Sequence, residues 1–145
     1  MPPMGEIEIR RILAPADLDC ALRIRRAVFI EEQGVPPGLE MDGRDGEAVH
    51  FLALAGGEPV GCARLRSVEG RAKIERMAVL PPWRRRGVGR RLMESLLAHG
   101  REAGFGEFVL HAQRTAEAFY RKSGFVAAGD PFVDAGIEHV AMRKL

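Results

Sequence analysis

Val79-Leu80-Pro81-Pro82-Trp83-Arg84-Arg85-Arg86-Gly87-Val88-Gly89-Arg90-Arg91-Leu92 is the stretch on which the fold turns. Before it, residues 72–79 read as a strand. After it, Val88, Leu92, Met93, Leu96 and Leu97 recur at helical spacing. Prolines and glycines between the two mark a tight strand-to-helix loop. No Ser, Thr, Asp or Asn stands at the helix start, so its first N–H groups lack a side-chain acceptor. Five arginines also crowd the positive end of the helix dipole, each costing about 0.3–1 kcal/mol there. A polyanion removes both defects: free N–H groups hold phosphate oxygens, and guanidinium groups neutralise them. Gly87 and Gly89 leave room for its approach. The stretch therefore reads as a phosphate-binding strand–loop–helix.

Length and composition narrow the alternatives. A chain of 145 residues makes one domain, here residues 1–145. Its net charge of +2 is nearly neutral, so the basic character is local and no general coating of polyanions is implied. Met1-Pro2-Pro3-Met4-Gly5-Glu6 has no signal pattern, and no apolar run approaches membrane-spanning length. A cytoplasmic protein without membrane attachment is expected. Cys20 and Cys62 lie far apart in apolar surroundings and read as free thiols. No metal site is expected; the acids near Asp42 lack the calcium-loop pattern.

Taken in order, residues 6–12 alternate as a first strand. Pro15-Ala16-Asp17 opens a helix whose pattern runs on to Gly34. Residues 35–46 form an acidic loop punctuated by Pro and Gly. Residues 48–55, 59–67 and 72–79 make an antiparallel meander, turned at Gly56-Gly57 and Glu69-Gly70. Residues 87–103 are helical, 107–112 extended, and a short helix starts at Thr115. Residues 125–128 and 139–145 read as closing strands. The order is β-α-β-β-β-α-β-α-β-β, an α/β fold with helices packed on a mixed sheet.

A triphosphate P-loop needs Gly-Lys-Ser/Thr, which is absent, and a dinucleotide fingerprint needs a third glycine where Leu92 stands. Arg84-x-x-Gly87-x-Gly89 instead resembles the pyrophosphate loop of the GCN5-related N-acetyltransferases. Phe119-Tyr120-Arg121-Lys122-Ser123-Gly124-Phe125 resembles that family's second signature. Three further stretches resemble its ElaA/YjcF-like branch: Arg26-Ala27-Val28-Phe29-Ile30-Glu31-Glu32-Gln33-Gly34-Val35-Pro36, Leu110-His111-Ala112-Gln113, and Ala135-Gly136-Ile137-Glu138-His139-Val140. The resemblance implies a mostly antiparallel sheet with helices on both faces. Its central strands splay apart to admit the pantetheine arm of acetyl-CoA, the expected cosubstrate.

The same resemblance distributes roles. Met77, Ala78 and Val79 offer backbone to pantetheine. Arg84, Arg85, Arg86, Gly87, Val88, Gly89 and Arg90 hold the pyrophosphate. Gln113 and Phe119 complete the cofactor wall. Tyr120, the only tyrosine, faces the sulfur and protonates the departing thiolate. Glu75 or His111 removes a proton from the incoming amine. Glu75 has a second reading, as an ion-pair partner of Arg64 or Arg66 on the next strand. Glu32, Asp42, His50 and His139 are assigned to the acceptor pocket, where carboxylates attract a small cationic amine. Many relatives pair through their C-terminal strands, and nothing in residues 132–145 requires a homodimer.

The expected function is therefore acetyl transfer to the amine of a small acceptor, by direct attack in a ternary complex. A non-catalytic sensor of CoA or acyl-CoA on the same fold is the alternative. Nucleic-acid binding is disfavoured, because Trp83 is the only aromatic near the arginines.

Overall fold

The computed structural model describes residues 6–145, so Met1–Gly5 of the N-terminal reading lie outside the described residues. Strand β1 (Ile7–Arg11) pairs antiparallel with β2 (Val49–Ala55), which with β3 (Glu58–Val68) and β4 (Arg71–Val79) forms the three-stranded antiparallel meander expected from alternation. Its two hairpins each turn on two residues with positive φ, Gly56-Gly57 and Glu69-Gly70. That geometry matches the right-handed strand twist. β5 (Phe108–Gln113) runs parallel to β4, and β8 (Ile137–Lys144) antiparallel to β5.

The closing region has one strand more than the alternation suggests. β6 (Val126–Ala127) and β7 (Phe132–Asp134) both pair with β8. β7 is only three residues long, behind Asp130-Pro131, which hides it from a periodicity reading. A third two-residue turn, Ala135-Gly136, joins it to β8.

Helices cover both faces of the sheet. On one face, Leu92, Met93, Leu96 and Leu97 of α3 (Val88–Glu102) pack on Phe51, Ala53, Leu65, Ile74 and Leu110. Leu92 and Leu96 are fully buried, each contributing about 2 kcal/mol. On the other face, Ala21 and Ile24 of α1 (Pro15–Arg25), with Val28 beyond it, pack on Leu52, Leu54, Cys62 and Ala78. α1 runs on without a break into wide π-helical turns over Arg26–Glu32, stopped by Gly34 at φ +74°. The acidic loop contains the short helix α2 (Pro37–Glu40) and a 3₁₀ turn, Asp45–Glu47. α4 (Glu117–Lys122) follows a 3₁₀ turn at Arg114–Ala116. Both cysteines are free thiols, Cys62 buried.

The central pair opens. β4 and β5 pair only from Ala72 to Ile74 and from Phe108 to Leu110. Beyond that point β4 carries a bulge: β3 registers Arg64 with Glu75 and Cys62 with Ala78, so Ala63 alone faces Arg76 and Met77. Arg76 takes φ +56° to make it. A bulge bends the strand and adds twist, which turns the second half of β4 away from β5.

Candidate active site

The opening leads into a cavity of about 790 Å³. Alternation along β4 puts Met77 and Val79 against the α3-side core, where Phe119 and Tyr120 of α4 also pack. Lys73, Glu75, His111 and Gln113 alternate with buried Ile74, Leu110 and Ala112, so they project to the opposite face. All eight line the cavity, which therefore spans the gap in the sheet.

One end is the phosphate loop. Gly87 caps α3 at φ +85° with no side-chain cap. The first helical bond runs from the Arg91 N–H to the Gly87 carbonyl, so the N–H groups of Val88, Gly89 and Arg90 have no partner within the helix. Arg84, Arg85, Gly87, Gly89 and Arg90 line this end. A Cβ on Gly89 stands 3.2 Å from the Phe119 ring, so glycine here lets the helix start close against Phe119.

Two expected members lie elsewhere. The Val88 side chain is buried in the core, leaving only its backbone to the loop. The Arg86 guanidinium rests on the Trp83 ring, 5.3 Å from its centroid, and is not on the cavity wall. Arg84 is on the wall but engaged: Nη1 and Nη2 bind Glu32 at 2.7 and 2.6 Å, and Nε donates to the Val79 carbonyl. Hydrogen bonding to Arg84 holds the Glu32 carboxyl below the usual carboxylate range. Glu32 is thus an ion-pair partner rather than part of the acceptor wall.

In the gap, Gln113 donates to the Gln33 side-chain oxygen at 2.8 Å and ties β5 to the π-helical segment. The Tyr120 ring meets Phe119 and Phe125 edge to face. Its hydroxyl makes no hydrogen bond among the described residues, and desolvation pushes its pKa up to about 12.

Of the acidic loop's carboxylates only Glu40 lines the cavity. The loop closes over a set of arginines, Arg25 at the end of α1 and Arg64, Arg66 and Arg76 on the sheet. Arg25, fully buried, binds Glu40 and Asp45. Arg64, also fully buried, binds Asp42, Asp45 and Glu75. Arg66 binds Glu75 at 2.6 Å and Glu47 at 3.0 Å, and Arg76 binds Glu40 and Asp42. The hydrogen bond from Arg64 holds Asp42 far below its ordinary pKa. Asp42 is neutralised there and lies off the cavity wall. His50 is buried beneath the same loop, with Nε2 donating to the Asp45 carbonyl at 3.0 Å, and it too lies off the wall.

Glu75 does line the cavity, in the ion-pair role of its second reading. Burial pushes its pKa up, but hydrogen bonds from Arg66 and the charges of Arg64 and Lys73 outweigh this and bring it to about 2. Such a carboxylate is a weak base near neutral pH.

At the far end stand His111 and His139, joined by a residue the sequence did not single out. The Phe132 ring lies edge-on to His111 at 5.0 Å and stacked with His139 at 5.7 Å. β7–β8 pairing sets Phe132 opposite His139, which is the signal that would have found it. His139 Nδ1 donates to the Ile137 carbonyl, which fixes its tautomer. Desolvation, then the Lys73 charge and His139, lower the His111 pKa, so its imidazole is neutral at pH 7. Lys73 and Asp134 also line this end and went unread in the sequence.

Comparison with known proteins agrees with this geometry. Residues 22–145 match the family model for the acetyltransferase (GNAT) domain. The chain belongs to that family. Among GNAT relatives, YyaT of Bacillus subtilis is 40% identical over 141 residues, 95% of each chain. The N-acetyltransferase YjcF of the same organism is 39% identical over 125 residues, 86% of this chain and 89% of its own. The crystal structure of Escherichia coli ElaA superposes with a TM-score of 0.86 at 28% identity, over 96% of this chain and 99% of that one. An acyl-CoA N-acyltransferase of Pseudomonas aeruginosa gives a TM-score of 0.82 at 29% identity, over 96% and 98%. The GNAT protein is thus an acyltransferase of the ElaA/YjcF-like branch, and enzymes of this fold use acetyl-CoA. The uncapped helix start, the arginines and the unpaired edge of β4 fit that cosubstrate. No helix among the described residues is long and apolar enough to cross a membrane.

Proposed function

We propose that this GNAT protein transfers the acetyl group of acetyl-CoA to the amine of a small acceptor, by direct attack within a ternary complex. The observation that carries this reading is the continuity of the cavity. One space joins the phosphate loop, the gap between β4 and β5, Tyr120 and His111. A thioester and an amine can therefore meet in line, which is where orientation contributes most.

In this reading the N–H groups of Val88, Gly89 and Arg90 hold the pyrophosphate, with Arg85 and Arg90 supplying charge. Met77, Ala78 and Val79 offer backbone groups to the pantetheine arm. Gln113 and Phe119 form its wall. The amine lone pair forms the N–C bond while the C–S bond breaks with its electrons on sulfur. The nitrogen proton, made acidic as the bond forms, passes to His111, which releases it to solvent. The sulfur takes a proton from Tyr120, and the phenolate regains one from solvent. Low polarity raises the pKa of phenol and thiol alike, so their order is not set by the free values. Glu75 keeps the cavity floor in place and His139 braces the aromatic end.

A screen of amines with free-thiol detection of released CoA tests the reading. Tyr120→Phe is expected to lower kcat about 100-fold while leaving CoA affinity within twofold. A wild-type protein that binds acetyl-CoA and acetylates no amine contradicts it.

A further inference from the structure

The charges along the cavity single out one side chain. Three carboxylates line it: Glu40, Glu75 and Asp134. Glu40 is held by Arg25 and Arg76, and Glu75 by Arg64, Arg66 and Lys73. Asp134, the last residue of β7, forms no ion pair or hydrogen bond with a side chain among the described residues. It is exposed on the wall beside His111, whose imidazole feels its field. The network under the acidic loop leaves no carboxylate unmatched: Arg25, Arg44, Arg64, Arg66, Lys73 and Arg76 hold Glu40, Asp42, Asp45, Glu47 and Glu75. Asp134 is the carboxylate of the cavity wall that no cation holds among the described residues.

Its surroundings are apolar and aromatic. Ile137 is its register partner across the hairpin. His111 and His139, held by the Phe132 ring that stands edge-on to one and stacked on the other, line the wall beside it. Phe29, Leu39 and Ile137 line the same cavity. A largely apolar wall with a single unmatched carboxylate recognises an amphipathic cation.

Resting on the acetyl-transfer reading, we propose that Asp134 docks the ammonium of the acceptor, which releases one proton to solvent to free the lone pair that attacks. The acceptor class is a primary amine with one positive charge and an apolar or aromatic body. A second cationic group, as in a polyamine, meets only carboxylates already matched by arginine or lysine. A carboxylate beside the amine, as in a free amino acid, is repelled by Asp134 and meets Lys73 only as a cation already paired with Glu75.

Three probes test this on the full chain with acetyl-CoA at pH 8.5: phenethylamine, phenylalanine and spermidine, read by released thiol. Phenethylamine is expected to exceed both others in kcat/KM by about tenfold or more. Asp134→Asn is expected to raise its KM about tenfold with a smaller change in kcat, and Asp134→Glu to recover part of the loss. CoA titrated by calorimetry into Asp134→Asn should bind as to the wild type. A preference for phenylalanine or spermidine, or an unchanged KM in Asp134→Asn, overturns the proposal while leaving acetyl transfer standing. A wild type that binds CoA but acetylates none of the three overturns the acceptor class. Failure to bind CoA at all removes the acetyl-transfer reading itself, and Asp134 docking with it.

Discussion

The Arg84 guanidinium clasps the Glu32 carboxylate through both terminal nitrogens while its Nε holds the Val79 carbonyl at 2.8 Å. One side chain thus ties the π-helical segment, the end of β4 and the phosphate loop together. The Arg84 charge is already matched, and Arg90 is held only loosely by exposed Glu94 at 3.8 Å, so the positive field at the start of α3 comes from the arginines beside Arg84. Glu32→Gln unmatches Arg84. The expected result is CoA affinity two- to fivefold higher, about 0.5–1 kcal/mol, measured by calorimetry at low salt. An affinity that falls instead means that the clasp shapes the loop rather than tuning its charge.

His111 should govern the acid side of the rate profile. Partial desolvation, Lys73 and His139 lower its pKa below the ordinary 6.5 of a histidine, against the opposing fields of Asp134 and Glu75. The neutral form is the base, so kcat should rise through a midpoint below 6.5 and then level off. Tyr120, at about 12, stays protonated through the neutral range and adds no alkaline limb there. In His111→Ala the acid limb of kcat should vanish along with most of the rate. A limb that survives the substitution assigns the proton to another group.

The arginine network predicts how the protein fails in acid. Glu75 has a folded pKa of about 2 against the ordinary 4.5 of a glutamate. Its stabilisation is therefore complete above pH 4.5 and is lost as pH falls towards 2, and the lowered Asp42 and Asp45 act in the same direction. Tm should hold steady from pH 7 to about 5 and then drop. Arg64→Ala removes the fully buried cation shared by Asp42, Asp45 and Glu75, leaves each with fewer partners, and should cost about 3 kcal/mol in a denaturant titration.

Gly89 joins the phosphate loop to the chemistry. An Ala methyl there meets the Phe119 ring at 3.2 Å, and that ring packs against Tyr120. Gly89→Ala should cost about 1–3 kcal/mol in stability and lower kcat beyond any loss of CoA binding. Unchanged kcat in a folded variant separates the Phe119 contact from catalysis.

The parts of this site that a reader of the sequence can reach are those with local signatures. The strand before Leu80, the uncapped helix after Gly87 and the run to Gly34 each follow from spacing or turn chemistry over a few residues. Pairing across the sheet has no such signature. Arg64 and Arg66 share a face of β3, but only the folded loop shows that Asp42, Asp45 and Glu47 come to meet them, drawing His50 and Asp42 away from the acceptor pocket. β7 was too short for periodicity to register, so Phe132 and Asp134 were missed although His111 and His139 on either side of Phe132 were not. Arg86 was grouped with its neighbours by sequence, whereas the loop turns it onto Trp83.

The central claim is that the start of α3 holds the diphosphate of CoA while the gap between β4 and β5 holds its arm. Paired calorimetric titrations with CoA and with pantetheine, which lacks the diphosphate and nucleotide, test it most directly. The account predicts CoA binding in the micromolar range and pantetheine weaker by about 100-fold or more. Equal affinities, or no binding of CoA at high micromolar protein, would contradict it.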